Sequence, residues 1–381
     1  MTAASVPIPK FAVSDCGRNR DTSSLFSVAC LSQKCVVKDD ELLGQGTTRR
    51  IVLGAGLAAL ATPALAQART PLTVMVYGGG YEKAIREKVV PEFEAANPYA
   101  VTVVVADDTL LVPRLVSART RSPFDAICCN EDAAILLRAN GLLAADQSAH
   151  MPELADTYES MKPPRTVIYG NTVYRYDFVY RTTAFAAAPT SWQDLWKPGI
   201  TVGVPAVSQA YGMTFLYIAA LLNGGSATNL EPGFAAIRRL GKVKIYKNVS
   251  QGLTLFQQGE IDAALYYAHR GQQLIDSGLP LARVQPKEGA YAQRTGTQIP
   301  KGTTNMAGAI AWVRTSLSPL YQGALLDQLY SPSNRKVPIP AGQENKYISG
   351  DAVVAALLDP PWAELLPQKD AVLDRWTREL G

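Results

Sequence analysis

The chain has 381 residues, 47% of them hydrophobic and 18% charged, with 37 basic against 33 acidic side chains. That length allows more than one domain. The near balance of charge excludes a nucleic-acid footprint and a basic membrane-binding surface.

In chain order, the first feature is an export pattern. Thr48-Arg49-Arg50-Ile51-Val52-Leu53 is a twin-arginine motif ahead of a mild apolar stretch, 51–60, and Ala64-Leu65-Ala66 is a small-x-small cleavage site. The stretch is too short and too rich in Gly and Ala to span a membrane. Residues 1–66 are therefore set aside as a signal peptide with an unusually long leader, and the mature protein is expected in the periplasm. Seven basic and five acidic residues go with the leader, leaving 30 against 28, a net charge of +2. Cys16, Cys30 and Cys35 go with it too. Adjacent Cys128 and Cys129 cannot staple distant segments, so no disulfide framework is expected. They suit two small buried residues at a strand end. His150 and His269 lack metal-site spacing, and no metal is expected.

Residues 72–97 set the pattern for the rest. A β-branched run at 72–76 predicts a strand. Gly78, Gly79 and Gly80 then form a turn, and Ile85, Val89, Phe93 and Ala96 fall on one helical face. Pro91 must kink or restart that helix. A strand, a glycine turn and a packed-back helix make the first unit of an open α/β sheet, whose ligands sit at the carboxyl ends of strands. Strands follow at 101–106, ending in Asp107-Asp108, and at 124–129, ending in Asn130-Glu131-Asp132. Helices are predicted at 110–118 and 133–139. The alternating aromatic segment 172–181 is read as a strand leaving a first lobe.

A second lobe opens with Ser191 capping a short turn and a strand at 200–204. Ser208 is positioned to cap a helix at 211–222, and Ser250 one at 253–257. A strand follows at 261–267, then a turn at 285–289. The apolar run 306–313 is read as the strand returning to the first lobe, and the remainder as mainly helical.

This ordered set resembles the periplasmic solute-binding proteins of ABC importers, in the spermidine/putrescine-binding and ferric/phosphonate-binding branch. The resemblance rests on the export signal, YGGGYEKAIREKVVPEFEAANP, FDAICCNEDAAILLRANGLL, SWQDLWKPGITVGVPA, FQQGEIDAALYYAHRGQQLIDSGLPLARVQPKEGA and the terminal DRWTREL. It covers essentially all of 71–381. It implies an α/β fold of two Rossmann-like lobes joined by two crossing strands, the type II periplasmic binding fold. The lobes are expected at 71–178 with 306–381 and at 182–300, and the chain is expected to be a monomer. The implied role is capture of a small-molecule solute in the interlobe cleft and delivery to an ABC permease of the inner membrane, with no enzymatic activity, no cofactor and no nucleic-acid partner.

The cleft residues expected on that basis are Tyr77, Gly79, Tyr81, Asn130, Glu131, Tyr176, Ser208, Gln209, Tyr211, Tyr267 and Glu288. A polyamine-like cation is the first expectation for the ligand, because carboxylates can cage ammonium groups and aromatics can stack on methylenes. The carboxylates available at strand ends are Glu131, Asp177 and Glu288. Helix amino termini near Ser208 and Ser250 suit an anion instead, so a small organic acid or phosphonate is the alternative. Ferric iron is disfavoured. Aligned on Gly259-Glu260-Ile261-Asp262, the family's tyrosine pair falls at His269 and Arg270, and neighbouring Tyr266 and Tyr267 of a strand point to opposite faces. The alternative class is an exported nucleotide-dependent oxidoreductase. Its glycine fingerprint fails at the third position, which is Lys83.

Overall fold

The computed structural model describes residues 69–118 and 120–380, so the expected leader, 1–66, lies outside the described part. Strand β1 (Thr70–Val76) leads through Gly79, at φ 74°, into helix α1 (Gly80–Ala84). That backbone conformation is open to glycine and costly for a residue with a Cβ. The helix runs on through a wider π turn at Ile85–Val89 into α2 (Val90–Ala96), with Pro91 in the first turn of α2. Proline lacks the N–H that an α turn would use, and the wider turn ahead of it absorbs the mismatch. Strand β2 (Tyr99–Val105), helix α3 (Asp108–Ala118), strand β3 (Ala126–Asn130) and helix α4 (Glu131–Ala139) complete a doubly wound unit. In it β1 lies between β2 and β3, all parallel.

Strand β4 (Tyr169–Arg181) then runs 13 residues and belongs to both halves of the sheet. A second parallel unit follows. It comprises β5 (Thr201–Pro205), α5 (Ala210–Leu221), α6 (Glu231–Arg238), β6 (Lys242–Tyr246), α7 (Val249–Gln257), β7 (Ala263–Tyr267) and α8 (Ala268–Asp276). Here β5 lies between β6 and β7, and β7 pairs antiparallel with residues 176–180 of β4. Helix α5 is apolar on nearly every face because nearly every face is covered. A Cβ at its Gly212 would stand 2.0 Å from the Ala206 carbonyl oxygen, so the helix can approach the loop after β5 only with glycine there.

The return crossing corrects the sequence reading. Strand β8 (Leu281–Val284) pairs with residues 178–181 of β4, and β9 (Ala292–Gln298) with residues 169–175 and with β3. Together they run antiparallel to β4 along both halves. The apolar segment expected to be that strand, 306–313, is instead helix α9 (Met306–Ser316), started by Asn305, whose Oδ1 accepts from Gly308 N at 2.9 Å. Helix α10 (Pro319–Ala324), the short β10 (Ser331–Pro332) on β4, and α11 (Asp351–Ala355) follow on the first half.

The chain then crosses a third time. Leu358 exchanges backbone hydrogen bonds with Ala290 and Ala292 beside the second crossing. Helices α12 (Trp362–Leu365) and α13 (Lys369–Glu379) end on the second half, with Trp376 6.3 Å from Phe234 and Arg375 4.1 Å above the Phe234 ring. The sheet order is β2-β1-β3-β9-β4-β7-β5-β6, a mixed α/β architecture of two Rossmann-like lobes joined by crossing strands. Among the described residues no helix is long and apolar enough to cross a membrane.

Candidate functional site

All six parallel strands deliver their carboxyl ends to one cleft of about 550 Å³. From the first half come Tyr77–Gly80 after β1, Asp107 and Asp108 after β2, and Asn130 at the end of β3. From the second come Gln209 and Tyr211 after β5, Asn248 and Ser250 after β6, and Tyr267, His269 and Arg270 after β7. Tyr174 of β4 and Tyr330 close the back. This placement follows from the topology, since loops at the carboxyl ends of two facing parallel units meet across the gap between them.

The first wall is tied together by Asp108, which accepts from Tyr77 Oη at 3.0 Å and from Asn130 N at 3.4 Å. Burial, with the charge of Asp132 nearby, pushes the Asp108 carboxyl up to about 7, against the opposing pull of those hydrogen bonds. Asp107 is occupied locally, its Oδ1 accepting from Thr109 N and Oγ1 and from Leu110 N. Asn130 Oδ1 accepts from Thr295 Oγ1 at 2.7 Å and from Tyr174 Oη at 3.3 Å.

The second wall is aromatic. Tyr211 stacks on Tyr246 with centroids 6.0 Å apart and meets Tyr267 edge-on at 5.2 Å. Its hydroxyl is buried without a partner, as is His269 Nδ1. Burial, then Arg270 and Arg283, hold the His269 imidazole well below its usual range, so it is neutral at pH 7. Arg270 donates to Gln273 Oε1 at 2.9 Å and to Tyr330 Oη at 3.3 Å, and forms no ion pair with a carboxylate among the described residues.

Of the residues expected from sequence, Tyr77, Gly79, Asn130, Gln209, Tyr211 and Tyr267 line this cleft. Ser208 lines a small adjoining cavity instead. It does not cap α5, whose first turn follows Gln209 with no side-chain cap. Nor does Ser250 cap α7; Asn248 does, accepting from Gln251 N at 2.9 Å.

Four others are engaged elsewhere. Tyr81 is fully buried, its hydroxyl between Cys128 Sγ at 3.3 Å and Tyr321 Oη at 3.0 Å. Tyr176 is fully buried behind Tyr267 and donates to Gln293. Glu131 accepts from Thr166 and from Arg294 at 3.3 Å. Glu288 accepts from Ser191 and from Trp192 N at 3.1 Å, fastening the short turn that Ser191 caps. Asp177 is held by Arg175 at 2.7 Å and Arg283 at 2.6 Å.

Tyr266 faces away from the cleft and donates to Val249 O at 2.6 Å, while its neighbour Tyr267 faces in. Both free cysteines are buried, with the Cys128 thiol pushed up to about 12 chiefly by burial. Sequence reasoning set Asp108 at a strand end and Arg270 at the family's ligand position without counting either among the cleft residues, and it missed Tyr330. Position after a strand end could have found the first two; Tyr330 arrives from a distant turn with no local signal.

The family model for bacterial extracellular solute-binding proteins matches residues 88–347. No curated protein matches the sequence. Among solved structures, an ABC transporter protein from Clostridium perfringens ATCC 13124 is similar at 21% identity and TM-score 0.69, covering 81% of this chain and 100% of that one. An ABC transporter substrate-binding protein from Bradyrhizobium japonicum USDA 110 is 17% identical, with TM-score 0.68 and coverage of 82% and 100%. The PBP AgtB from A. tumefaciens R10, solved in complex with agropinic acid, is 19% identical, with TM-score 0.63 and coverage of 82% and 98%.

Proposed function

The chain belongs to the bacterial extracellular solute-binding protein family, and from that premise we propose that it is the periplasmic binding component of an ABC importer for a small carboxylate-bearing solute. The observation that carries the ligand class is Arg270. Among the cleft-lining side chains it alone is a permanent cation, and no carboxylate of the described chain neutralises it. A solute carboxylate would supply the missing charge through paired N–H donors. Helices α5, α7 and α8 also begin at this cleft, and helix amino termini favour negative charge. Agropinic acid, bound by one structural neighbour, is an acid of this general kind.

The polyamine reading draws less support. Glu131, Asp177 and Glu288, the carboxylates it relied on, are engaged in structural bonds. Its remaining support is Asp108 among the tyrosines of the cleft. The solute would bridge residues of both lobes, and the loaded form would be handed to the membrane permease. We assign β9 to the first lobe and α13 to the second by their pairing and packing.

The test is calorimetry on protein stripped of its native solute, with small organic acids, putrescine and spermidine as titrants. A bound acid should lose about 1.5–3 kcal/mol, the worth of a charged hydrogen bond, in Arg270→Gln. Tight polyamine binding that Arg270→Gln leaves unchanged or strengthens would overturn the reading.

A further inference from the structure

The cleft does not end at Asp108. A side cavity of about 50 Å³ opens beyond it, sharing Asp108, Asn130, Gln209 and Tyr267 with the main cleft. Asp132, in the first turn of α4, lies in its wall. This residue is only 4% exposed, and its Oδ1 has no hydrogen-bond partner. A buried carboxylate oxygen left unpaired costs free energy that a bound donor would recover. The cavity thus has two neighbouring carboxyl groups and an unmet acceptor.

We propose that this cavity is an ammonium subsite, so that the solute held by Arg270 through its carboxylate also carries a primary amine that enters between Asp108 and Asp132. The proposal rests on the carboxylate reading for the far end of the solute and adds the near end. A primary ammonium offers three donors, enough for Asp132 Oδ1 and an Asp108 oxygen together. The cavity is small, and an aminomethyl head is a small group that carries a primary ammonium into it.

Without solute, burial favours the protonated form of both carboxyls, raising each above its ordinary range. An entering ammonium would replace that proton, so binding near pH 6 would release protons to the buffer. Lys369, the first residue of α13, also lines the cavity; its charge already acts on both carboxyls against burial, though it forms no ion pair among the described residues, and the solute ammonium would share the two carboxyls with it.

The experiment is calorimetry on the solute-free protein with 3-aminopropanoate through 6-aminohexanoate, the matching acids without the amine, and the matching alkylammonium ions. One amino acid of the series should bind at least 10-fold more tightly than its deaminated partner and release protons at pH 6. Asp132→Asn should abolish both the preference and the release while keeping affinity for the simple acid. Asp108→Asn serves as the second variant if the first fails to fold. Arg270→Met should weaken amino acid and simple acid alike.

An absent preference, or one unchanged in both carboxyl variants, overturns the subsite and leaves the carboxylate reading intact. Binding of alkylammonium ions alone, lost in Asp132→Asn, keeps the subsite and overturns the carboxylate reading. Binding of no member of the panel overturns both.

Discussion

Asp108 is the residue whose chemistry is most displaced by its surroundings. Its carboxyl titrates at about 7 in the fold against 3.8 ordinarily, chiefly through burial and then through Asp132, with Tyr77, Asn130 and Lys369 pulling the other way. Between those two values the folded state holds a proton that the unfolded state has released. Stability from this group is therefore fully present below about pH 4 and is lost as pH rises through about 7. Asp108→Asn should flatten that decline and raise the melting temperature at pH 8 by roughly 2 °C, about 1 kcal/mol for a domain of this size. Thermal scans at pH 5 and pH 8 check it; an unchanged pH profile would refute the assignment. Tyr77, Asn130, Gln209, Tyr211 and Tyr267 could be named from sequence because they stand at, or a few residues beyond, the carboxyl ends of predicted strands. Glu131 and Glu288 stand at equally promising positions. Which way a side chain turns there depends on Arg294 and Ser191, far away in sequence, and local pattern carries no word of them.

At the scale of elements, the same limit explains β9. Its sequence, Ala-Gln-Arg-Thr-Gly-Thr-Gln, has no apolar alternation, yet every residue is buried. Its polar side chains are satisfied inside, as where Thr295 meets Asn130 and Arg294 meets Glu131. A hydrophobicity search passes over such a strand and takes the apolar 306–313 instead, although Asn305 marks a helix start there. Strands β1, β3, β4 and β7 were legible because their burial is paid for in aliphatic and aromatic side chains. Within β4, Asp177 is wholly buried between Arg175 and Arg283, joining the first crossing to the second. Asp177→Asn leaves two buried guanidinium groups without their counter-charge and should cost about 3–5 kcal/mol. Urea denaturation should show a lower midpoint at an unchanged slope; a loss under 1 kcal/mol would mean the pair is solvated.

For the whole molecule, we expect the lobes to rock about the crossing strands β4 and β8–β9, since cleft residues stand on both sides of them. Ligand that touches both walls favours the closed arrangement by the difference in its affinity for the two. The radius of gyration from small-angle scattering should fall on saturation with whichever solute calorimetry identifies. It should fall less in Tyr211→Ala, which removes a contact from the second wall. A radius that does not change with ligand would rule out closure.

The third crossing bears on how such a chain comes into being. The first lobe lacks a central strand until β9 has been synthesised, and the second lacks the cover over Phe234 until α13 has. Neither can close its core as its own residues leave the ribosome. Folding must wait for nearly the full length, with apolar surface open in the meantime to chaperones and proteases. A nascent chain stopped before β9 ends at Gln298 has no finished half to rest in.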